Sequence, residues 1–195
     1  MMATITRDSL WPLETYAKER PTFRAKVLEH KKNRSLAIGE HVTMLFEDEL
    51  TIRYQIQEML RIEKTFEEAG IQDELDAYNP LIPGGRDFKA TMMIEYADET
   101  ERRAALKKLK GLEHKVWVQV EGAEKVFAVA DEDLARENDE KTSAVHFMRF
   151  PLTEDMAASL KYGVSLAFGI DHPEYTVAVS PVPAPIRDSL VNDLT

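Results

Sequence analysis

The chain has 195 residues, 44% of them apolar and 31% charged, which is typical of one ordinary globular domain. Its formal net charge of −10 disfavours binding to nucleic acid or to anionic membrane surfaces, and the absence of cysteine excludes disulfides, thiolate metal sites and cysteine nucleophiles. The first residues lack the apolar core of a secretory signal, and no apolar run approaches the roughly 18 residues that span a bilayer. We therefore expect a single cytoplasmic domain over residues 1–195, with no membrane contact.

Residues 1–87 are predicted to be mainly helical. Two helices are expected at Leu13–Lys18 and Thr22–Lys32, followed by a buried strand at Val42–Phe46. A longer helix is predicted from Asp48 to Phe66, because apolar residues recur there at helical spacing. The predicted buried stripe of this helix consists of Ile52, Ile56, Met59 or Leu60, and Phe66.

The second part, residues 88–195, is predicted to form a sheet. The pattern strand, helix, strand, strand occurs twice, over residues 88–130 and 143–180. The two hairpins superpose with a shift of 50 residues, which pairs Val120 with Ile170. This correspondence suggests an internal duplication, in which the two units pack around a pseudo-twofold axis and share one sheet.

A different division of the same segment is also open. Residues Phe88–Phe150 alone can form a ferredoxin-like βαββαβ unit if a short helix lies near Asp131–Arg136. Both divisions predict an α+β fold, with N-terminal helices packed on a mixed, mainly antiparallel sheet. A last short helix is expected at Ile186–Leu194.

The long helix and the turn-rich stretch after it hold the best candidates for ligand binding. Arg53, Gln57 and Arg61 are spaced by four residues along one side of the helix, so the two guanidinium groups lie about 12 Å apart. Such a line can hold a phosphate, a carboxylate or an acidic loop of a partner. Tyr78 and Asn79, in a stretch shaped by two prolines and two glycines, are predicted to close one side of the pocket.

Simpler structural roles compete with this hypothesis. Glu49 lies four residues before Arg53, and Glu58 lies three before Arg61, so local ion pairs can use both arginines. The apolar residues between the two prolines of the turn-rich stretch can plug the core instead of shaping a pocket.

Three residues are candidates for catalysis. Tyr54 and Glu58, also spaced by four, can act as proton donor and acceptor if they face a cleft. His146 alternates with apolar residues on one face of a predicted strand, whereas Arg149 falls on the other face together with Phe147. No pair of histidines has a metal-ligand spacing, so we predict no metal site and leave any cofactor unknown.

Several stretches resemble the bacterial family catalogued as domain of unknown function 3501. The resemblance is carried by Phe46-Glu47-Asp48, by the run Arg53–Arg61, by Tyr78–Pro83 and by the strand Lys89–Tyr96. It implies a single-domain cytoplasmic bacterial protein with an accessory role in redox or peroxide metabolism. The lack of cysteine agrees with an accessory protein that does not itself carry an iron–sulfur cluster.

These observations lead to two functional hypotheses. The first is a non-catalytic accessory protein that binds a protein partner or a small anionic ligand, and a subunit of a homo-oligomer is a further possibility that the sequence does not separate from it. The alternative is a metal-assisted or acid–base enzyme with a cleft around His146 and Glu58.

Overall fold

The computed structural model describes residues 4–195, which contain six α-helices and nine β-strands. The helices are α1 (Leu13–Lys31), α2 (Glu49–Glu63), α3 (Glu68–Tyr78), α4 (Glu99–Lys108), α5 (Glu154–Lys161) and α6 (Ala184–Val191). The strands are β1 (Ser35–Ala37), β2 (Val42–Phe46), β3 (Asp87–Ile94), β4 (Val116–Val120), β5 (Val126–Phe127), β6 (Val129–Ala130), β7 (Val145–Pro151), β8 (Leu166–His172) and β9 (Tyr175–Val179). None of the helices in residues 4–195 is long and apolar enough to cross a membrane.

The strands form two antiparallel sheets. The first has the order β1-β2-β3-β7-β6 and the second the order β5-β4-β8-β9. The predicted α+β class is confirmed, but the strands are divided between two sheets, and each pairing between named strands is antiparallel. Helices α4, α5 and α6 lie in the second part of the chain, so the helical content is not confined to the N-terminal part.

The inner faces of the two sheets pack against each other through four phenylalanines. Alternation along β3 and β7 turns Phe88 and Phe150 inward, where both are fully buried. Phe168 of β8 meets them from the second sheet. Its ring centroid lies 4.9 Å from that of Phe46, 5.3 Å from that of Phe150 and 6.4 Å from that of Phe88. Tilted and edge contacts at these separations are favourable, so the four rings form the centre of the core.

Helices α2 and α3 form a second apolar cluster with the N-terminal segment. Its buried members are Ile5, Leu10, Ile52, Ile56, Leu60, Ile71, Leu75 and Ile82. The predicted extension of the long helix to Phe66 is wrong: the helix ends at Glu63, and Lys64 takes a left-handed backbone conformation with φ of 53°. Phe66 is consequently 73% exposed and does not belong to the buried stripe.

Helix α1 replaces the two N-terminal helices predicted from the sequence. Pro21 lies inside it and removes one backbone hydrogen bond. Tyr16 on one side of the proline and Phe23 and Val27 on the other are buried in one cluster. We attribute the continuity of the helix to this packing, which spans the position of the proline.

The two strand–helix–strand–strand units occur in the predicted order of elements. One is β3-α4-β4-β5 and the other is β7-α5-β8-β9. Strand β3 pairs with β7, and β4 pairs with β8, so the units share two sheets instead of one. Val118 lies opposite Phe168, and these are the residues that a shift of 50 makes equivalent. This register is what a pseudo-twofold axis between β4 and β8 requires, while the duplication itself stays a prediction.

The ferredoxin-like alternative is wrong. Within the described residues no helix forms at Asp131–Arg136, and the strands of the segment Phe88–Phe150 are divided between the two sheets. The strand predicted at Val126–Ala130 also splits, because β5 pairs with β4 in the second sheet and β6 pairs with β7 in the first.

A buried arginine links the C-terminal residues that follow α6 to the segment between β2 and α2. Arg34 is 1% exposed and donates from Nε to the carbonyl of Phe46, at 2.9 Å, and from Nη2 to that of Glu47, at 3.1 Å. Its two terminal nitrogens also lie 3.2 Å and 2.6 Å from the carboxylate oxygens of Asp193. Burial raises the pKa of Asp193 to about 6, and the hydrogen bonds from Arg34 oppose that rise.

We predict that Phe168→Ala lowers the free energy of unfolding by about 3–5 kcal/mol, because it removes the ring that joins the two sheets and leaves a cavity. Urea denaturation followed by circular dichroism measures the change. The matched control is Phe127→Ala, since Phe127 is 43% exposed and its loss should cost far less. Equal losses in the two variants would contradict the assignment of Phe168 to the centre of the core.

Candidate functional site

A cleft with a volume of about 490 Å³ lies between the outer face of the first sheet and the end of α3. We call it the Tyr78 cleft. It is lined by Met59 of α2, by Glu74, Asp76, Ala77 and Tyr78 of α3, by Pro80 and Leu81, by Lys89 of β3, by Phe147, Met148 and Arg149 of β7, and by Glu132, Asp133 and Arg136 of the loop after β6.

Strand alternation explains how the sheet contributes to this cleft. His146 and Phe150 of β7 point inward and are buried, whereas Phe147 and Arg149 point to the opposite face, as the sequence predicted. Lys89 of β3 lies directly opposite Arg149 in the register of the sheet. The wall made by the sheet therefore carries an aromatic ring beside two cations.

The loop after β6 is attached to the sheet by ion pairs at the rim. The guanidinium of Arg149 donates to both carboxylate oxygens of Glu132, at 3.0 Å and 2.8 Å. Arg136 donates to both oxygens of Asp133, at 2.6 Å and 2.8 Å, and its guanidinium carbon lies 4.5 Å from the centre of the Phe147 ring. The Arg136 hydrogen bonds hold the pKa of Asp133 at about 2, and those from Arg149 lower the pKa of Glu132.

The cations of the rim make hydrogen bonds within the protein. Lys89 Nζ donates to the carbonyl of Pro80, so each of the three cations of the cleft has a partner. Four acidic residues face these three cations, and burial raises the pKa of one of them, Glu74. This balance disfavours a ligand with a net negative charge. The cleft suits a molecule with an apolar body and a neutral or zwitterionic polar part.

Two of the predicted ligand-binding residues, Arg53 and Gln57, share a different recess with a volume of about 480 Å³. Arg53 pairs with Glu49, at 2.7 Å from Nε, and also donates to the carbonyl of Ser9. Gln57 is buried, and its amide accepts from the backbone N–H of Trp11 at 2.8 Å and donates to the Trp11 carbonyl at 3.3 Å. Both side chains therefore hold the N-terminal segment against α2.

The other three predicted ligand-binding residues lie apart from this recess. Arg61 pairs with Glu58 at 3.0 Å. The amide of Asn79 makes two hydrogen bonds of 2.9 Å with the backbone N–H and carbonyl of Ile5. Tyr78 lines the Tyr78 cleft. The structure thus divides the five predicted residues between two cavities and the surface. That one ligand contacts all five of them stays a prediction.

The predicted acid–base pair on α2 is engaged in packing and ion pairs. Glu58 accepts from the hydroxyl of Tyr16 at 2.7 Å and from Arg20 at 2.7 Å and 3.1 Å. These contacts, that with Arg20 above all, lower the pKa of Glu58 to about 2. Tyr54 packs its ring 6.0 Å from that of Phe23. Glu58 is therefore an ionised carboxylate that joins α1 to α2.

His146 lies at the end of the space between the sheets, with no exposed surface. Its Nδ1 is 2.6 Å from Asp131 Oδ2, and its Nε2 is 2.9 Å from Thr142 Oγ1. None of these partners, within residues 4–195, contacts Glu58. The structure does not bring His146 and Glu58 into one cleft.

The sequence pattern predicts that Arg149 points to the same face as Phe147, which the structure shows, but it does not predict the contribution of the loop after β6 to the cleft; the binding role of Tyr78 stays a prediction. Glu132, Asp133 and Arg136 were read as a possible helix, although the spacing of Asp133 and Arg136 permits a local ion pair in a turn as well. Their role depends on Arg149 and Phe147, which lie 17 and 11 residues away along the chain and become neighbours only in the sheet.

The fold and this cleft define the chain as an α+β protein of two packed sheets with a ligand-sized cavity on one outer face. A family model described as "Protein of unknown function (DUF3501)" matches residues 4–194, and the chain belongs to this family, as the resemblance predicted. A crystal structure described as a novel protein of unknown function from Burkholderia pseudomallei K96243 is 54% identical, with a TM-score of 0.95 over 99% of this chain and 100% of that one. No curated protein matches the chain.

We predict that Glu58→Gln lowers the free energy of unfolding by about 1–2 kcal/mol at pH 7. Because the pKa of Glu58 is lowered in the folded state from 4.5 to about 2, its stabilising effect is complete above pH 4.5 and is lost as the pH falls towards 2. Denaturant unfolding of both proteins across this pH range should show the difference shrinking. Glu14→Gln, which alters an exposed pair with Lys18, is the control and should change little at any pH.

Proposed function

We propose that the protein is a non-catalytic, cytoplasmic accessory protein that binds a small molecule with an apolar body in the Tyr78 cleft. The observation that carries this proposal is the cleft itself: a cavity of about 490 Å³ that has an apolar floor and a charged rim. Volumes of this size, lined mainly by apolar groups with a few polar ones, are typical of small-molecule sites.

The apolar floor favours a flat or aromatic body for the ligand. The Phe147 ring is covered on one side by the guanidinium of Arg136 and lines the cavity, together with the ring of Tyr78 and the side chains of Met59 and Leu81. Aromatic rings and thioethers offer large, polarisable contact surfaces.

The rim favours a neutral or zwitterionic polar end. A carboxylate on the ligand would compete with Glu132 for Arg149 or with Asp133 for Arg136, and both arginines already make two hydrogen bonds to their carboxylates. A group that donates and accepts hydrogen bonds can instead use the Tyr78 hydroxyl and the outer lone pairs of these carboxylates.

The enzyme alternative has less support from the contacts. An acid–base enzyme needs its working groups in reach of one substrate, whereas Glu58 is held by Tyr16 and two arginines and His146 has no exposed surface. The redox or peroxide role implied by the family resemblance, and the anionic ligand or partner expected at Arg53, stay predictions.

The cleft can be filled without disturbing the core. Ala77 is exposed on α3 and lines the cavity, so we expect Ala77→Trp to occupy the space of the ligand and to weaken binding of the neutral apolar dye Nile red at least tenfold, about 1.4 kcal/mol. Fluorescence titration measures the affinity. The same variant should lose any excess mass that native mass spectrometry finds on the wild-type protein purified from a bacterial host.

The matched control is Ala104→Trp, which places the same side chain on an exposed position of α4 away from the cleft. It should bind the dye as the wild type does. If Ala77→Trp, correctly folded by circular dichroism, binds Nile red as tightly as Ala104→Trp, the Tyr78 cleft is not the ligand site and the proposal fails.

A further inference from the structure

The polar network around His146 contains a second buried carboxylate, that of Glu113, in addition to the Asp131 carboxylate that contacts the ring. It joins Glu113, in the single turn of 3-10 helix before β4, with Thr142, which precedes β7, and with His146 near the beginning of β7. His146 is 0% exposed and Glu113 only 1% exposed, so both groups are removed from water.

We propose that this network is a binding site for one divalent first-row transition-metal ion, held by His146 Nε2, Glu113 Oε2 and Thr142 Oγ1. The inference is independent of the Tyr78 cleft and of the ligand proposed there.

The distances between the three atoms fit a metal ion. His146 Nε2 and Glu113 Oε2 are 4.0 Å apart, so an ion midway between them would lie about 2.0 Å from each, the usual length of such a bond. Thr142 Oγ1 is 2.9 Å from both atoms, which places the same midpoint about 2.1 Å from the hydroxyl oxygen. The carbonyl oxygen of Ser143, also 2.9 Å from Nε2, adds a neighbouring oxygen donor.

Asp131 orients the histidine for this role. Its Oδ2 lies 2.6 Å from His146 Nδ1, and since a carboxylate accepts the hydrogen bond from Nδ1, Nε2 is the ring nitrogen left to face a metal ion. Asp131 Oδ1 is fixed in turn by the backbone N–H of Phe147 at 3.0 Å and by Arg136 at 3.1 Å. A carboxylate behind a metal-binding histidine is the usual arrangement that fixes the imidazole ring and its tautomer.

The charge of Glu113 supports a cation at this position. Among residues 4–195 its side chain has one hydrogen-bond donor, the Thr142 hydroxyl, and no lysine or arginine within ion-pair distance. A buried carboxylate without a cationic partner is costly, because desolvation penalises its charge. The nearest group that can carry positive charge is the His146 ring, 4.0 Å away, and a divalent ion between the two would bring a cation into direct contact with the carboxylate.

The donor atoms define the class of ion. One imidazole nitrogen, one carboxylate and one hydroxyl, with no sulfur, suit ions such as Mn²⁺, Fe²⁺ or Zn²⁺ better than thiolate-preferring ions, and the nitrogen donor disfavours Mg²⁺.

A second group of possible metal ligands lies beside this site at the surface. Glu113 belongs to a second group of three side chains, with His114 and Glu137, whose ligand atoms lie within 4.8 Å of one another. His114 and Glu137 are exposed, so they offer a first contact for an ion from solvent, and Glu113 is common to the outer and inner groups.

Metal binding to the protein after treatment with EDTA tests the proposal. Isothermal titration calorimetry with MnCl₂ and ZnCl₂ should give about one ion per chain, and Glu113→Gln and His146→Gln should each weaken binding at least tenfold. Asp131→Asn should weaken it about tenfold to a hundredfold, because it removes the orienting carboxylate while leaving the three donor atoms in place.

His172→Gln is the matched control. His172 is also buried, but its Nε2 faces the carbonyl of Lys110 and has no carboxylate partner among the described residues, so metal binding should be unchanged. Circular dichroism identifies variants that do not fold. If His146→Gln is one of them, the near-isosteric Glu113→Gln decides the outcome.

Two results would overturn the proposal. One is the absence of Mn²⁺ and Zn²⁺ binding to the wild-type protein up to millimolar concentration. The other is a folded Glu113→Gln variant that binds either ion as tightly as the wild type. Binding of Mg²⁺ as tight as that of Mn²⁺ would overturn the assignment to a transition metal.

Discussion

The contact of Phe168 with three phenylalanines of the opposite sheet is the constraint on which the rest of the molecule depends. This contact buries the inner face of each sheet in the apolar core. A ligand can therefore reach only the outer faces of the sheets, their edges and the helices. The cleft beside Tyr78 lies on an outer face for this reason. A polar group that does point inward, such as His146, must find all of its partners locally.

The short apolar run of β2, the residue patterns of β3 and β7, and the helical spacing of Ile52, Ile56 and Leu60 in α2 were sufficient to predict these features, since such patterns are local. The continuity of α1 through Pro21 was not predictable, because it depends on packing that outweighs the local preference of proline. The site was predicted less well for the same reason. The amides of Gln57 and Asn79 look free in the sequence, but they bind backbone groups 46 and 74 residues away.

The loop between β6 and β7 links the two proposed sites. Asp131, at its beginning, has a positive φ of 52° and binds His146 through one oxygen and Arg136 through the other. Arg136 in turn covers the Phe147 ring in the cleft. The two proposed sites are built from separate residues, but if both sites are occupied, both ligands act on this one loop, which is the physical requirement for coupling between them.

The split of one extended segment between the two sheets has a consequence for association with other chains. Val126–Phe127 forms one edge of the second sheet and Val129–Ala130 one edge of the first, each only two residues long, while the N–H of Ala128 between them donates to the Val116 carbonyl. Edges this short offer little template for the addition of a foreign strand. Self-association through strand addition would accordingly have to start at the opposite edges, β1 or β9, where three and five residues run in register.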